Sequence, residues 1–282
     1  RLVLDFAREV LVNEGLGDDE VTDYLSVSFS STDYVGHVFG PSSLEGEDNL
    51  LRLDQTIADL LAFVDSELGL DNTLVVLSAD HGGPDTPGYL ESLGIPAGYV
   101  DPENWDRAAA IERIRKRFRI KGPLIESYNH PYVYLSDDVK QDRRIDQAQL
   151  EAAVVEELMR FPGVSLAVSS TALRSGRVAD SQVMRAVRHN FHNKRSGDIF
   201  VVFEPNWFIN DFDGLVVAST HGSPWTYDTH VPVIFAGAGL APKIVDRRVR
   251  TVDVATTLAA FLNLKPPSGA AGEVLTEVTG SE

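Results

Sequence analysis

The arrangement that most constrains this chain is a strand, a long helix and a second strand in succession, with ionisable residues just past each strand. Asp23 to Ser30 (DYLSVSFS) alternates Leu25, Val27 and Phe29 with polar positions, the period-two pattern of a strand. From Glu47 to Leu68, residues Leu50, Leu53, Ile57, Leu60, Leu61, Val64 and Leu68 trace one face of a helix that ends at Gly69. Leu74 to Leu77 is a short continuous apolar run, which predicts a strand buried on both faces. A βαβ unit makes the two strands parallel, joined by a right-handed crossover. The loop Ser31–His37 and the pair Asp80-His81 would then leave the same edge of the sheet, and chemistry in open α/β sheets gathers there.

The remaining pattern extends an α/β reading. Leu2 to Val12 has helical spacing and stops at Asn13-Glu14-Gly15. After Gly83, the residues Pro84, Pro87, Gly88, Gly94, Pro96 and Gly98 mark an irregular loop. A helix is predicted near Trp105–Phe118, strands at Tyr132–Leu135, Val164–Val168 and Ile199–Phe203, and helices near Ile145–Arg160 and Asp180–Asn190. Together they predict a small inserted α/β subdomain over residues 84–207, flanked by 1–83 and 208–282. Leu215–Ala218 and Val231–Phe235 read as further buried strands and Val252–Leu262 as a closing amphipathic helix, before a loose Pro266–Gly269 tail. The fold class is α/β, with a mostly parallel central sheet flanked by helices. There is no internal repeat and no low-complexity segment.

Charge narrows the partners. Lys and Arg number 25 against 42 Asp and Glu, a formal charge of −17, which argues against a nucleic-acid groove or an anionic membrane surface. An anionic substrate would need local compensation from metal ions or a few placed cations. Cysteine is absent, so disulfides and thiolate metal sites are excluded. No apolar run approaches the ~20 residues of a membrane span. The chain opens at Arg1, already inside a helical pattern.

Candidate chemistry lies in three stretches. Asp33 and His37 are four apart, which on a helix puts both on one face and in a tight loop also allows both to chelate one ion. Asp80 and His81 stand side by side before Gly82-Gly83, where either ligation or acid/base work is chemically natural. His221 follows the Leu215–Ala218 run and precedes a turn composition, and His230 opens the Val231 run. Two Asp-His pairs and a third strand-end histidine supply five nitrogen and oxygen ligands, the donor set of a binuclear zinc site with positions open to substrate.

The stretches SFSSTDYVGHVFGP, VVLSADHG and STHGSPWTYDTHVPVIFAG, with RSGDIFVVFEP and VDVATTLAAFLNLKPPSGAAGEVL behind them, resemble the metal-binding motifs and later half of the alkaline phosphatase superfamily. The likeness is greatest to bacterial enzymes that use a threonine nucleophile. It implies an alkaline phosphatase-like fold, two zinc ions and hydrolysis of phosphate monoesters through a covalent phospho-enzyme. Carried over, it assigns Asp33, His37 and His221 to one zinc and Asp80 and His81 to the second. His230 becomes a supporting or structural residue, while His130, His189 and His192 match no ligand motif and are expected in loops or at the surface. The family's nucleophile, one further aspartate and its phosphate-holding side chains match nothing before Asp33. The chain is therefore expected to be the C-terminal part of such an enzyme, with no catalytic nucleophile of its own and no turnover alone. Export to the periplasm or beyond, and a small phosphate-ester substrate, follow from the same likeness. The alternatives are a phosphodiesterase or nucleotide pyrophosphatase of the same superfamily, or a metal-binding domain without catalysis. A serine hydrolase is disfavoured because no Gly-x-Ser-x-Gly elbow occurs.

Overall fold

The computed structural model describes residues 1–212 and 214–280. The chain divides into two compact units, one made of Arg1–Ser30, Asp48–Asp80 and the stretch from Val231 onward, the other of Ser31–Glu47 and His81–His230.

In the first unit, the helix Leu2–Asn13 buries Leu4, Ala7 and Leu11, a stripe at the spacing one helix face demands. Arg8 on this helix reaches the Asp59 carbonyl at 3.0 Å and lies 5.1 Å from the Phe63 ring centre, so its stem and charge both serve the packing. Asp59 and Phe63 belong to the long helix Leu44–Glu67. Leu53, Ile57, Leu60, Leu61 and Val64 are half-buried along its inner face, as the spacing predicts, while Leu50 is exposed. Gly69, at φ +78°, ends the run by donating to the Val64 and Asp65 carbonyls, a left-handed position suited to glycine.

The strand Leu74–Ser78 forms where expected, but its partner differs. It pairs antiparallel with Val233–Gly237, with Val76 opposite Phe235. Residues 22–29 carry no strand, although Val27 and Phe29 are half-buried between exposed serines. Period-two alternation decides which side chains turn inward; the ladder needs a second backbone at the right distance, which alternation does not supply. With one ladder partner among the described residues, the 74–78 strand is half-buried rather than covered on both faces, and Leu77 stays 39% exposed.

The second unit is built on a four-stranded antiparallel sheet in the spatial order Ile125–Asn129, Tyr132–Leu135, Ile199–Phe203, Val164–Ser169. The strand Ile199–Phe203 is buried along its whole length, as a continuous apolar run requires. One sheet face carries Val133, Ile199 and Val201 against Ile111, Leu150, Val154 and Leu158 of the helices Ala109–Phe118 and Gln147–Leu158. The other face carries Tyr132, Val168, Phe200 and Val202 against Leu173, Met184 and Val187. The helix expected over Trp105–Phe118 splits into a 3-10 turn, Pro102–Arg107, and the helix Ala109–Phe118. Asp106 explains the break, because its carboxylate accepts the Leu124 and Ile125 N–H groups and pairs with Arg115 at 2.7 Å.

Parallel pairing occurs between Gly98–Tyr99 and Trp207–Phe208. The buried strand expected at Leu215–Ala218 shortens to an exposed pair, Leu215–Val216, in a hairpin with Asp211–Phe212. Among the described residues, no helix is long and apolar enough to cross a membrane.

Candidate metal centre

Asp33 and His37 lie on the helix Ser31–Phe39, so their four-residue spacing does bring them onto one face. Asp33 stands in the first turn and His37 in the last, the placement that suits the helix dipole. The His37 carbonyl accepts the N–H groups of Ala218 at 2.8 Å and Ser219 at 3.3 Å. In return, the ring donates from Nδ1 to the Ser219 carbonyl at 2.8 Å. A carbonyl only accepts, so this bond places the proton on Nδ1 and leaves a lone pair on Nε2. That Nε2 lies 3.3 Å from Asp33 Oδ2. Ser219 is itself fixed: it is buried, and its hydroxyl donates to the Pro84 carbonyl at 2.6 Å.

Two residues on, His221 turns back to the same carboxylate, with Nε2 3.6 Å from Asp33 Oδ1. Gly222 follows at φ +110°, and a side chain there would press on the His130 ring at 3.0 Å. His81 stacks on His221, ring centres 3.4 Å apart and planes 17° from parallel. Its Nδ1 meets the Gly82 carbonyl at 2.9 Å, and its Nε2 lies 3.8 Å from Asp33 Oδ1.

Three imidazole nitrogens thus face one carboxylate at 3.3–3.8 Å. Charge-assisted hydrogen bonds close to about 2.7–2.9 Å, so these are not tight ion pairs. Ligand atoms sharing a tetrahedral zinc ion stand about 3.3 Å apart, given metal bonds of about 2.0–2.2 Å. Asp33, His37 and His221 offer ligand atoms that all lie within 4.8 Å of one another. The donor set and its spacing fit a divalent metal.

The other expected residues fall as follows. Asp80 is exposed, two residues past the strand Leu74–Ser78 and next in the chain to His81. His230 is exposed at the end of the short helix Thr226–Thr229, its N–H donating to the Thr226 carbonyl at 2.9 Å, a structural position. His189 and His192 are exposed, as expected.

His130 keeps its loop position, between two strands, and is half-buried. It bridges the Tyr128 hydroxyl at 2.7 Å and the Gly222 carbonyl at 3.1 Å. Burial lowers its pKa, opposed by the Gly222 hydrogen bond, and burial raises that of Tyr128. Together with His37 and His221, His130 lines a cavity of about 390 Å³ that is otherwise largely apolar, with Phe200, Val202, Phe208 and Val217 in its wall.

Sequence reasoning passed over Asp228. It is 4% exposed, and its Oδ2 accepts both the N–H of Ser223 at 2.7 Å and the hydroxyl of Ser223 at 2.5 Å. Burial raises its pKa, with the Ser223 bonds opposing. The available signal was an aspartate inside a segment rich in apolar and aromatic residues, SPWTYD, where a buried carboxyl needs donors nearby.

Comparison with known proteins agrees along the chain. The family model described as type I phosphodiesterase / nucleotide pyrophosphatase matches residues 2–228. A protein of Myroides odoratus named calcium-transporting ATPase is 36% identical over 279 residues, covering 98% of this chain and 50% of that protein. Alkaline phosphatase PhoV of Synechococcus elongatus is 31% identical over 275 residues, covering 98% of this chain and 48% of that one. The crystal structure of wild type alkaline phosphatase PafA superposes with a TM-score of 0.86 at 30% identity, over 99% of this chain and 52% of that one. The chain spans about half the length of the curated relatives it matches. Its architecture is the alkaline phosphatase-like α/β fold, and the chain belongs to the type I phosphodiesterase / nucleotide pyrophosphatase family of the alkaline phosphatase superfamily.

Proposed function

We propose that the intact protein hydrolyses phosphate monoesters at a two-zinc site, with a covalent phospho-enzyme on the path. The observation that carries this reading is the convergence of the His37, His221 and His81 Nε2 atoms on Asp33. In the assignment we favour, Asp33, His37 and His221 hold one zinc, and Asp80 with His81 contributes to the second. When bound, such ions neutralise phosphate charge and lower the pKa of an attacking or departing hydroxyl. The chain's own part is to fix the donors. The Nδ1 bonds of His37 and His81 to backbone carbonyls orient both rings and direct their Nε2 atoms toward Asp33. No residue of this chain is assigned as nucleophile.

The acidic surface strengthens the case for metal, since a chain of charge −17 repels a phosphate unless cations offset it locally. We further read residues 1–83 and 208–282 as segments of the catalytic domain, with 84–207 inserted, and expect export to the periplasm or beyond.

Zinc-dependent turnover of phenyl phosphate by the full-length protein, abolished by Asp33→Asn, tests the reading. Zinc binding with no turnover of any phosphate ester would favour a metal-binding domain instead. A second reading, phosphodiester hydrolysis, is favoured by the family match over residues 2–228. A kcat/KM for a bis-aryl phosphodiester exceeding that for phenyl phosphate would select it.

A further inference from the structure

We propose that Asp228 is the positioning residue that holds His81 and His221 in their stack, by bonding to both of the loops that carry them. The inference rests on the reading of these histidines as metal ligands for its consequence, and on geometry alone for its substance.

Two separate stretches of chain meet at Asp228. Its main-chain carbonyl accepts the N–H of Gly82, the residue after His81, at 2.8 Å. Its side-chain Oδ2 accepts the N–H and the hydroxyl of Ser223, two residues after His221. One residue therefore clamps the segment behind each ring. The approach is close enough to demand glycine at position 82, because a Cβ there would sit 2.1 Å from the Tyr227 carbonyl oxygen. The clamp is in turn anchored, since the Tyr227 hydroxyl accepts the Asn206 N–H at 3.0 Å and the Trp225 indole donates to the Phe203 carbonyl at 3.0 Å.

The remaining oxygen of Asp228 points to function rather than to packing. Oδ1 is buried and has no close hydrogen-bond donor among the described residues. Such an atom costs stability, and a purely structural role at this site would be served by a neutral side chain. Asp228 touches neither ring and acts through the backbone that carries them, so its role is that of an outer-shell support.

The test uses the intact protein and its Asp228→Ala, Ser223→Ala and Ser223→Thr variants. Zinc affinity by competition with a chromophoric chelator should fall about 10–100-fold for Asp228→Ala. It should fall less for Ser223→Ala, and return towards wild type for Ser223→Thr, which keeps the hydroxyl. In metal-free protein, the ring protons of His81 and His221 should show mutual ring-current shifts that collapse in Asp228→Ala. That second readout separates the two claims. Wild-type protein that fails to bind zinc but shows the collapse overturns the metal reading and keeps the clamp. Ring-current shifts unchanged in a folded Asp228→Ala overturn the clamp whatever the metal does. If Asp228→Ala does not fold, the same shifts in Ser223→Ala decide, and no change there refutes the proposal.

Discussion

Replacing Asp33 by asparagine tests the centre of the site. All three converging imidazoles face this one carboxylate, at 3.3, 3.6 and 3.8 Å. The substitution keeps the size and removes the charge. Zinc supplied at a hundred times its dissociation constant stabilises a folded site by about 2.7 kcal/mol. In a unit of this size, each kcal/mol moves the melting temperature by about 2–4 °C. Chelator-treated wild-type protein should therefore gain about 5–11 °C on addition of zinc at that ratio. Asp33→Asn and His221→Ala should lose the gain, while His230→Ala should keep it, because the His230 side chain is exposed and its backbone N–H closes a helix end. Comparing each variant with and without metal cancels whatever the substitution does to the metal-free fold. A full zinc shift in Asp33→Asn, or its loss in His230→Ala alone, would refute the assignment.

Three further outcomes follow from other parts of the chain. Glu277 is held down to about 2 by the Arg247 guanidinium, which bonds it at 2.5 and 2.7 Å. A depressed carboxylate stabilises the fold fully above its unfolded value of 4.5 and loses that contribution as pH falls towards about 2. Carbon-detected titration should find the midpoint well below 4.5 and, in Arg247→Ala, back near it; a wild-type midpoint near 4.5 would contradict the pair. For His130 the direction is also downward, from burial first, so the neutral ring stabilises the fold above pH 6.5 and that contribution is lost as pH falls. Proton titration of its ring should give a midpoint below 6.5, and one above it would remove the half-buried Tyr128–His130–Gly222 bridge as an explanation. Leu150 is fully buried against the main sheet, so Leu150→Ala should cost about 2–5 kcal/mol in urea unfolding, and a loss under about 1 kcal/mol would mean that this core relaxes freely.

The elements with strong local patterns were legible. The run Ile199–Phe203 has five apolar residues and became a strand buried along its length. The helix Leu44–Glu67 keeps the apolar face that its spacing predicts. What local pattern could not supply was pairing. Val27 and Phe29 turn inward on schedule, yet 22–29 joins no ladder, and the 74–78 strand takes its partner from a segment more than 150 residues away, running antiparallel. Hydrogen-bond partners in a sheet are a property of the whole chain, and a period of two carries no information about them.

The site was legible for a different reason. A metal ligand must be a particular residue type, so Asp33, His37, His81 and His221 stand out as candidates by chemistry before any geometry is known, and the motifs around them carry a family resemblance. Supporting residues have no such signature. Asp228 and His130 act through Gly82, Ser223 and Gly222, using bonds to backbone atoms that every residue possesses. An aspartate in SPWTYD and a histidine before Pro131 could serve equally as turn residues, and what distinguishes them is the burial of Asp228 and the partners His130 meets, which the sequence encodes only through the finished fold. Candidate ligands are therefore recognisable by type, and the residues behind them only by position. It follows that substitutions which preserve every candidate ligand can still disperse the site, and Gly82 is the place where this is most exposed. A single methyl group there meets the Tyr227 carbonyl oxygen at 2.1 Å, so Gly82→Ala must push apart the two loops that bring His81 onto His221.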